Sequence, residues 1–357
     1  MTASGDRRAA VIGAGAWGTT LANVLAENGA SVSLWCRRDE LAAALARDRE
    51  NRAYLPGIRL HDAVRPTADL GEAVPGRGLV VAAVPSHAAR GVADRAARHL
   101  AAAALVVSAA KGIENASLCR MSDVLAQSLG VPERIGVLSG PSFAREVSEG
   151  RPTAVTLAAP DEGTARAARE WLGRPHLRIY TSSDVVGVEL GGALKNVIAV
   201  AAGLAEGLGA GLNGRAALIT RGMAEIHRLG EPLGAQPLTL AGLAGMGDLI
   251  LTCTSSLSRN YRVGLRLARG ERLGGGAVPR GGPDGAAPAG PGEGPPGGSG
   301  EVAEGIRTSR SAFDLARREE VEMPIVNEVY AILHQAKSPR AALEALMSRE
   351  AKAEFWR

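Results

Sequence analysis

The stretch AAVIGAGAWGTTLANVLAEN, residues 9–28, decides the fold. Ala9–Gly15 reads as a buried strand and Ala16–Asn28 as a helix. The turn between them carries the spacing G-x-G-x-x-G at Gly13, Gly15 and Gly18. The spacing alone is weak evidence, because glycines fall together by chance. Its position between a strand and a helix is the context in which it binds a dinucleotide. Gly13 permits the tight turn, Gly15 lets the backbone approach a pyrophosphate, and Gly18 lets helix and strand pack closely. The helix N-terminus that follows offers free N–H groups to the phosphates.

Further along, Ser31–Arg37 is a second apolar strand. Leu79–Pro85, Leu105–Ala109, Ile135–Leu138, Thr153–Leu157 and Leu177–Tyr180 repeat the style. Runs without polar alternation are buried on both faces, as in a helix-covered parallel sheet. The predicted fold class is therefore α/β, a Rossmann doubly wound parallel sheet followed by an all-helical C-terminal domain. Strand signals vanish after residue 181. Asp184–Leu208, Gly214–Leu229, Asn260–Arg269, Thr308–Arg318 and Pro324–His334 read as helices. Ser338–Met347 is a shorter one, with Ser338 as cap and Pro339 in its first turn. Residues 1–181 are predicted to form the dinucleotide-binding domain and 182–357 the helical substrate and catalytic domain. Gly274–Gly300, dominated by glycine and proline, is predicted to be a disordered loop inside the second domain.

The 357 residues have room for two compact domains. With 46% hydrophobic and 22% charged residues, each can bury a core. The net charge of +4 hints at anionic ligands but is too small to argue for nucleic acid, and 3% aromatics leave little for base stacking. Met1–Arg8 lacks the apolar centre of a signal peptide. The most apolar helical stretch, around Gly191–Gly211, is interrupted by Lys195, Asn196 and Glu206, which argues against membrane insertion. Cys36, Cys119 and Cys253 are scattered, with no CxxC pair. The expectation is a cytoplasmic protein with neither a metal site nor a disulfide framework.

Cofactor choice is read after the second strand. An NAD-preferring fold places an acid about 20 residues past the glycines, on the ribose hydroxyls. Here that place holds Cys36, Arg37 and Arg38, and two guanidinium groups suit a 2′-phosphate. NADP(H) is the preferred expectation and NAD(H) is possible; the alternative is that the arginines are solvated loop charges. In open α/β sheets ligands gather at the carboxyl ends of strands. Three such ends stand out: Val84-Pro85-Ser86-His87, Ser108-Ala109-Ala110-Lys111-Gly112 and Ser139-Gly140-Pro141-Ser142-Phe143. Lys111 is either a ligand for an anion or carbonyl or an ordinary surface lysine. Ser142 is placed to cap a helix, and His87 reads as a capping or packing residue rather than a catalyst.

In the helical part, Lys195 and Asn196 sit inside an apolar helix weakened by Gly191 and Gly192. The glycines make sense if another backbone or a ligand passes close. A buried ammonium without a function is costly, and desolvation brings a lysine towards the range of a general acid. The alternative is that Lys195 reaches out to solvent. Asp248 lies in the glycine-rich turn Leu243–Leu249, as a site carboxylate or a helix cap. Ser258, Arg259 and Asn260 put a guanidinium at a helix start, a natural phosphate clamp.

The segments GAGAWGTTLA, NRAYLPGI, AAKGIE, SGPSFAREV, ALKNVIAVAAG, AGMGDLILTCTS, SRNYRVG and VAEG occur in that order. Together they resemble the bacterial NAD(P)-dependent glycerol-3-phosphate dehydrogenases, from about residue 8 to 272 and again from about 301. The resemblance implies that Lys195 is the catalytic lysine, protonating the alkoxide formed during ketone reduction. It implies that Lys111 contacts substrate and cofactor, and that Asp248 is an active-site acid. Gly140, Ser142, Asn196, Ser258, Arg259 and Asn260 would contact substrate, with Arg259 on the phosphate and also near the cofactor. Trp17, Arg37, Arg38, Ala144, Val302 and Glu304 would contact cofactor. The implied reaction is dihydroxyacetone phosphate with NAD(P)H giving sn-glycerol 3-phosphate, which feeds glycerophospholipid synthesis; the implied assembly is a homodimer. Two positions depart from the pattern. Ala16 stands where the family often has serine, and Gly274–Gly300 replaces a short helical stretch. A dehydrogenase for another hydroxy acid or sugar acid, and a redox-sensing NAD(P)-binding regulator, are the rival readings. The Arg259 clamp opposes the first, and Lys111, Lys195 and Asp248 together oppose the second.

Overall fold

The computed structural model describes residues 7–271 and 303–350. Gly274–Gly300 and Val302 lie outside the described residues. The strands are β1 (Arg8–Ile12), β2 (Ser31–Trp35), β3 (Glu50–Asn51), β4 (Leu55–Arg59), β5 (Val64–Thr67), β6 (Leu79–Ala82), β7 (Leu105–Ser108), β8 (Ile135–Ser139), β9 (Thr153–Ala158) and β10 (Leu177–Ser182). Helices α1 (Ala16–Glu27), α2 (Asp39–Asp48), α3 (Leu70–Ala73), α4 (Ala89–Ala97), α5 (Met121–Leu129), α6 (Ala144–Ser148) and α7 (Glu162–Leu172) alternate with them. After Ser182 every described element is helical: α8 (Val185–Gly207), α9 (Gly211–Gly230), α10 (Pro237–Ala241), α11 (Asp248–Thr254), α12 (Arg259–Ala268), α13 (Glu304–Arg318), α14 (Pro324–His334) and α15 (Pro339–Met347).

Eight strands form one sheet in the order β10-β9-β8-β7-β6-β1-β2-β5. The chain winds outward from β1 in both directions, so this is a doubly wound α/β fold with its crevice between β1 and β6. One expectation needs correction. The sheet is mixed, because β9 pairs antiparallel with β8, and β10 follows β9 in parallel. Thr153–Leu157 looks like its parallel neighbours because a strand packed on both faces is apolar in either direction. The hairpin β3–β4 and the strand β5 were not anticipated either.

Alternate strand residues feed two helix layers. Ala9, Val11, Val32, Leu34, Leu79 and Val81 pack with Leu21 and Leu25 of α1 and Leu172 of α7. Ala10, Ile12, Trp35 and Val80 face α3, α4 and α5. Leu21 and Leu25 are fully buried, each contributing about 1.5–3 kcal/mol by removal from water. A separate core surrounds α8, whose Leu190, Leu194, Val197 and Ile198 are enclosed by α9, α11, α12 and α13. Val185–Gly207 is long and apolar enough to cross a bilayer, but 89% of its most apolar window is buried inside the fold.

Candidate active site

The fingerprint turn comes first. Gly13 has φ 118°, and a Cβ there would stand 2.6 Å from the Ala83 carbonyl; a Cβ on Gly18 would meet the Gly13 carbonyl. Only glycine fits either position. A Cβ on Gly15 would meet nothing within 4 Å, so its face is open. Gly15 also starts α1 with no side chain capping the helix, leaving the amides of the first turn free for an anion. Asn51 of the hairpin is buried and braces this turn from beneath, donating to the Ala14 carbonyl at 3.0 Å and to Thr19 Oγ1 at 2.8 Å. Its Oδ1, like Trp17 Nε1, is buried without a protein partner. An open glycine face, uncapped amides and the orphaned Trp17 N–H donor fit a dinucleotide pyrophosphate.

The second half of the site is built on α8. Asp184 caps this helix through the Gly187 amide at 2.7 Å. Glu189 ties it to the start of α5, accepting from Ser122 N at 2.8 Å, Ser122 Oγ at 2.5 Å and Arg120 Nη1 at 3.1 Å. Burial pushes the Glu189 carboxyl up, against the pull of Arg120 and Ser122. Gly191 and Gly192 are where the helix meets other backbone and side chains. A Cβ on Gly191 would lie 2.7 Å from the Ala244 carbonyl, and one on Gly192 would collide with Ser139 Oγ. That close approach sets α8 against the carboxyl end of β8.

Lys195 projects from α8 one turn beyond those glycines and is 6% exposed. It does not reach out to solvent. Its Nζ donates to Asp248 Oδ1 and, at 2.8 Å, to Thr252 Oγ1. Lys111, after β7, donates to Asp248 Oδ2 at 2.7 Å and to the Gly140 carbonyl at 3.0 Å. Asp248 is 1% exposed and is the first residue of α11, directly after a π-helical turn at Leu243–Gly247. Its carboxylate serves two lysines rather than capping its own helix. Two ammonium groups share one carboxylate, so the pocket keeps an excess positive charge. Burial brings Lys195 from the usual 10.5 down to about 8; Asp248 opposes the fall and Lys111 adds to it.

The remaining predicted residues surround this cluster. Ser142 does not cap α6, as the sequence suggested. Phe143 holds the cap position, one residue later, and Ala144 is the first helical residue; Ser142 Oγ instead donates to the Gly140 carbonyl at 2.9 Å. Ser258 caps α12 by accepting from Tyr261 N at 3.2 Å. Asn260 donates to Asn196 Oδ1 at 2.8 Å and accepts from Gly305 N at 2.9 Å, linking α12, α8 and α13 beside Lys195. Arg259 is exposed at the start of α12, and among the described residues it has no hydrogen bond or ion pair. Glu304 turns to the end of β6, accepting from Ser86 N at 3.1 Å and Ser86 Oγ at 2.6 Å. Arg37 and Arg38 stand apart from the lysines, exposed at the end of β2.

Sequence reasoning missed four residues. Thr252 and Glu189 carry no motif signal beyond polarity within an apolar helix. Asn51 lay in the NRAYLPGI segment without a role, and at the end of β6 attention fell on His87 rather than Ser86.

Residues 8–165 match the description of the NAD-dependent glycerol-3-phosphate dehydrogenase N-terminus, and residues 184–344 that of its C-terminus. The chain belongs to the NAD-dependent glycerol-3-phosphate dehydrogenase family. It is 48% identical over 349 residues to the glycerol-3-phosphate dehydrogenase [NAD(P)+] of Syntrophotalea carbinolica, covering 97% of this chain and 98% of that one. The dehydrogenase of the same name from Geobacter sulfurreducens is 49% identical, covering 98% and 100%. The crystal structure of glycerol-3-phosphate dehydrogenase from Coxiella burnetii superposes with a TM-score of 0.85 at 34% identity, covering 96% of this chain and 99% of that one. The chain is thus one of a family of oxidoreductases, and its fingerprint turn and Lys111 follow β1 and β7, two places apart at the carboxyl ends of parallel strands of one sheet.

Proposed function

We propose that this chain reversibly reduces dihydroxyacetone phosphate to sn-glycerol 3-phosphate, supplying glycerophospholipid synthesis. The observation that carries the reading is Lys195, a buried ammonium poised to titrate at about 8 beside Asp248 and Thr252. Residues 1–181 act as the cofactor domain and 182–357 as the helical substrate domain. The protein works as a soluble cytoplasmic homodimer.

Gly13, Gly15, Ala16, Trp17 and Gly18 hold the pyrophosphate, and Ala144 and Glu304 line the rest of the cofactor cleft. Bound NAD(P)H supplies the hydride, which adds to the substrate's carbonyl carbon. Lys195 donates one proton from Nζ to the carbonyl oxygen as negative charge develops there, and takes it back in the oxidative direction. Asp248 fixes Lys195 and Lys111 on its two oxygens, and Thr252 aims the Lys195 ammonium. Lys111, Gly140, Ser142, Asn196, Ser258 and Asn260 orient the substrate, and Arg259 takes its phosphate as a charge-assisted clamp. Arg37 and Arg38 make NADP(H) the preferred cofactor, with NAD(H) accepted.

The test is NADPH oxidation followed by absorbance with dihydroxyacetone phosphate, for wild type and Lys195→Ala, repeated with NADH. Loss of the acid should lower kcat by about 10²–10⁴-fold. A folded wild type that binds NADPH but does not oxidise it with this substrate overturns the reading.

A further inference from the structure

The register of the sheet brings two loops to the same edge. Ile12 pairs with Trp35 on one side and Ala82 on the other, so the ends of β2 and β6 flank the fingerprint, about 10 Å apart at ordinary strand spacing. β2 runs on into Arg37, and β6 runs on into the turn Ser86–Ala88 that contains His87. Helix α13 docks on that turn through the two hydrogen bonds from Ser86 to Glu304. Arg307 lies one turn further along α13, on the face that carries Glu304. The helical part of the chain thus brings its own guanidinium over the cofactor edge of the sheet.

Both guanidinium groups act on His87, which lies in that turn. After burial, the charges of Arg307 and then Arg37 hold the His87 imidazole towards its neutral form. Arg37 and Arg307 are both exposed, and among the described residues neither has a hydrogen bond or ion pair. Exposed guanidinium groups that are paired to no carboxylate suit a polyanionic ligand. The pyrophosphate is already met by the α1 amides, which leaves the phosphate on the adenosine ribose, at the end of β2.

We propose that Arg307 is a cofactor-specificity residue that grips the 2′-phosphate of NADP(H) together with Arg37, one guanidinium from the sheet and one from α13. Selectivity for the phosphorylated cofactor is then read by both parts of the chain, and the phosphate helps hold α13 against the β6 turn. The inference rests on the dehydrogenase reading above.

The test compares wild type, Arg307→Ala and Arg307→Lys. Steady-state kinetics give the ratio of kcat/KM for NADPH to that for NADH with dihydroxyacetone phosphate. Calorimetry gives the affinities for adenosine 2′,5′-bisphosphate and for 5′-AMP, and the latter reports whether the cofactor fold is intact. The ratio should fall about tenfold or more in the alanine variant and recover substantially with lysine. Affinity for the bisphosphate should fall by a similar factor while that for 5′-AMP holds. A ratio within twofold of wild type, or equal weakening of both cofactors and both nucleotides, overturns the proposal. If wild type reduces dihydroxyacetone phosphate with neither cofactor, the dehydrogenase reading fails, while the bisphosphate titration still decides the role of Arg307.

Discussion

Ser86 and Glu304, 218 positions apart in the chain, are joined by two hydrogen bonds: the serine amide and hydroxyl each reach a different carboxylate oxygen, at 3.1 and 2.6 Å. The pair fastens α13 to the carboxyl end of β6, next to the fingerprint turn. Hydrogen bonds to a charged group contribute about 1.5–3 kcal/mol. Glu304→Ala should therefore raise KM for the cofactor about tenfold or more, with a smaller effect on kcat. Cofactor KM from initial rates checks it, and an unchanged value would mean that the fastening has no part in cofactor binding.

The titration of Lys195 sets a direction-dependent pH profile. Its proton is held below about 8 and lost above. Ketone reduction needs the proton, so kcat/KM for dihydroxyacetone phosphate should be level below that pH and fall by about tenfold per unit above it. Oxidation of glycerol 3-phosphate needs the neutral amine and should rise up to the same point and then level off. Initial rates in both directions across pH 6–10, roughly the range bracketing such a group, check the mirror symmetry.

Asp248→Asn keeps the shape of the site and removes the charge shared by Lys111 and Lys195. The carboxylate is the group that holds the Lys195 proton against burial, so without it the ammonium loses its proton more readily. The alkaline limb of reduction should move to lower pH, and the fold should lose about 3–5 kcal/mol, the usual penalty for stranding a buried charge. Rate profiles and thermal melts of the variant give both readouts. A limb that stays in place would contradict the coupling.

Glu225 is buried, and its carboxylate accepts from the amides of Ile325 at 2.6 Å and Val326 at 3.2 Å, at the start of α14. Burial pushes its pKa from 4.5 up to about 7 despite those bonds. The folded state therefore binds this proton more firmly than the unfolded chain does. Its contribution to stability is full below about 4.5 and is lost as pH rises through about 7. Relative to wild type, Glu225→Gln should show a Tm that depends less on pH across that interval, as measured by calorimetric scans.

The features legible in the sequence were those with a local signature. The turn at Gly13–Gly18 needed only its flanking strand and helix, and Lys195 declared itself as a charge inside the apolar run of α8. The reversal of β9 left no mark, because Val155 and Leu157 are buried whichever way the strand runs. The hairpin at Glu50–Arg59 escaped notice because its residues are mostly polar or exposed and its strands are short. Ser142 looked like a cap because a serine stands close to a helix start, yet Phe143 takes the cap position and leaves Ser142 one residue too early. Partnerships such as Lys195 with Thr252, or Ser86 with Glu304, join distant segments and emerge only when the chain is folded.

The helix that bears Lys195 is enclosed on all sides, with α9, α11, α12 and α13 packed around it. Backbone amides in such an element open to solvent only when the surrounding unit comes apart as a whole. Lys195 is therefore expected in the slowest-exchanging part of the molecule, whereas α15, which buries only Ala342, should fray and re-form without disturbing it. Thermal inactivation should then be an all-or-none event, with the loss of turnover keeping step with the collapse of the helical core.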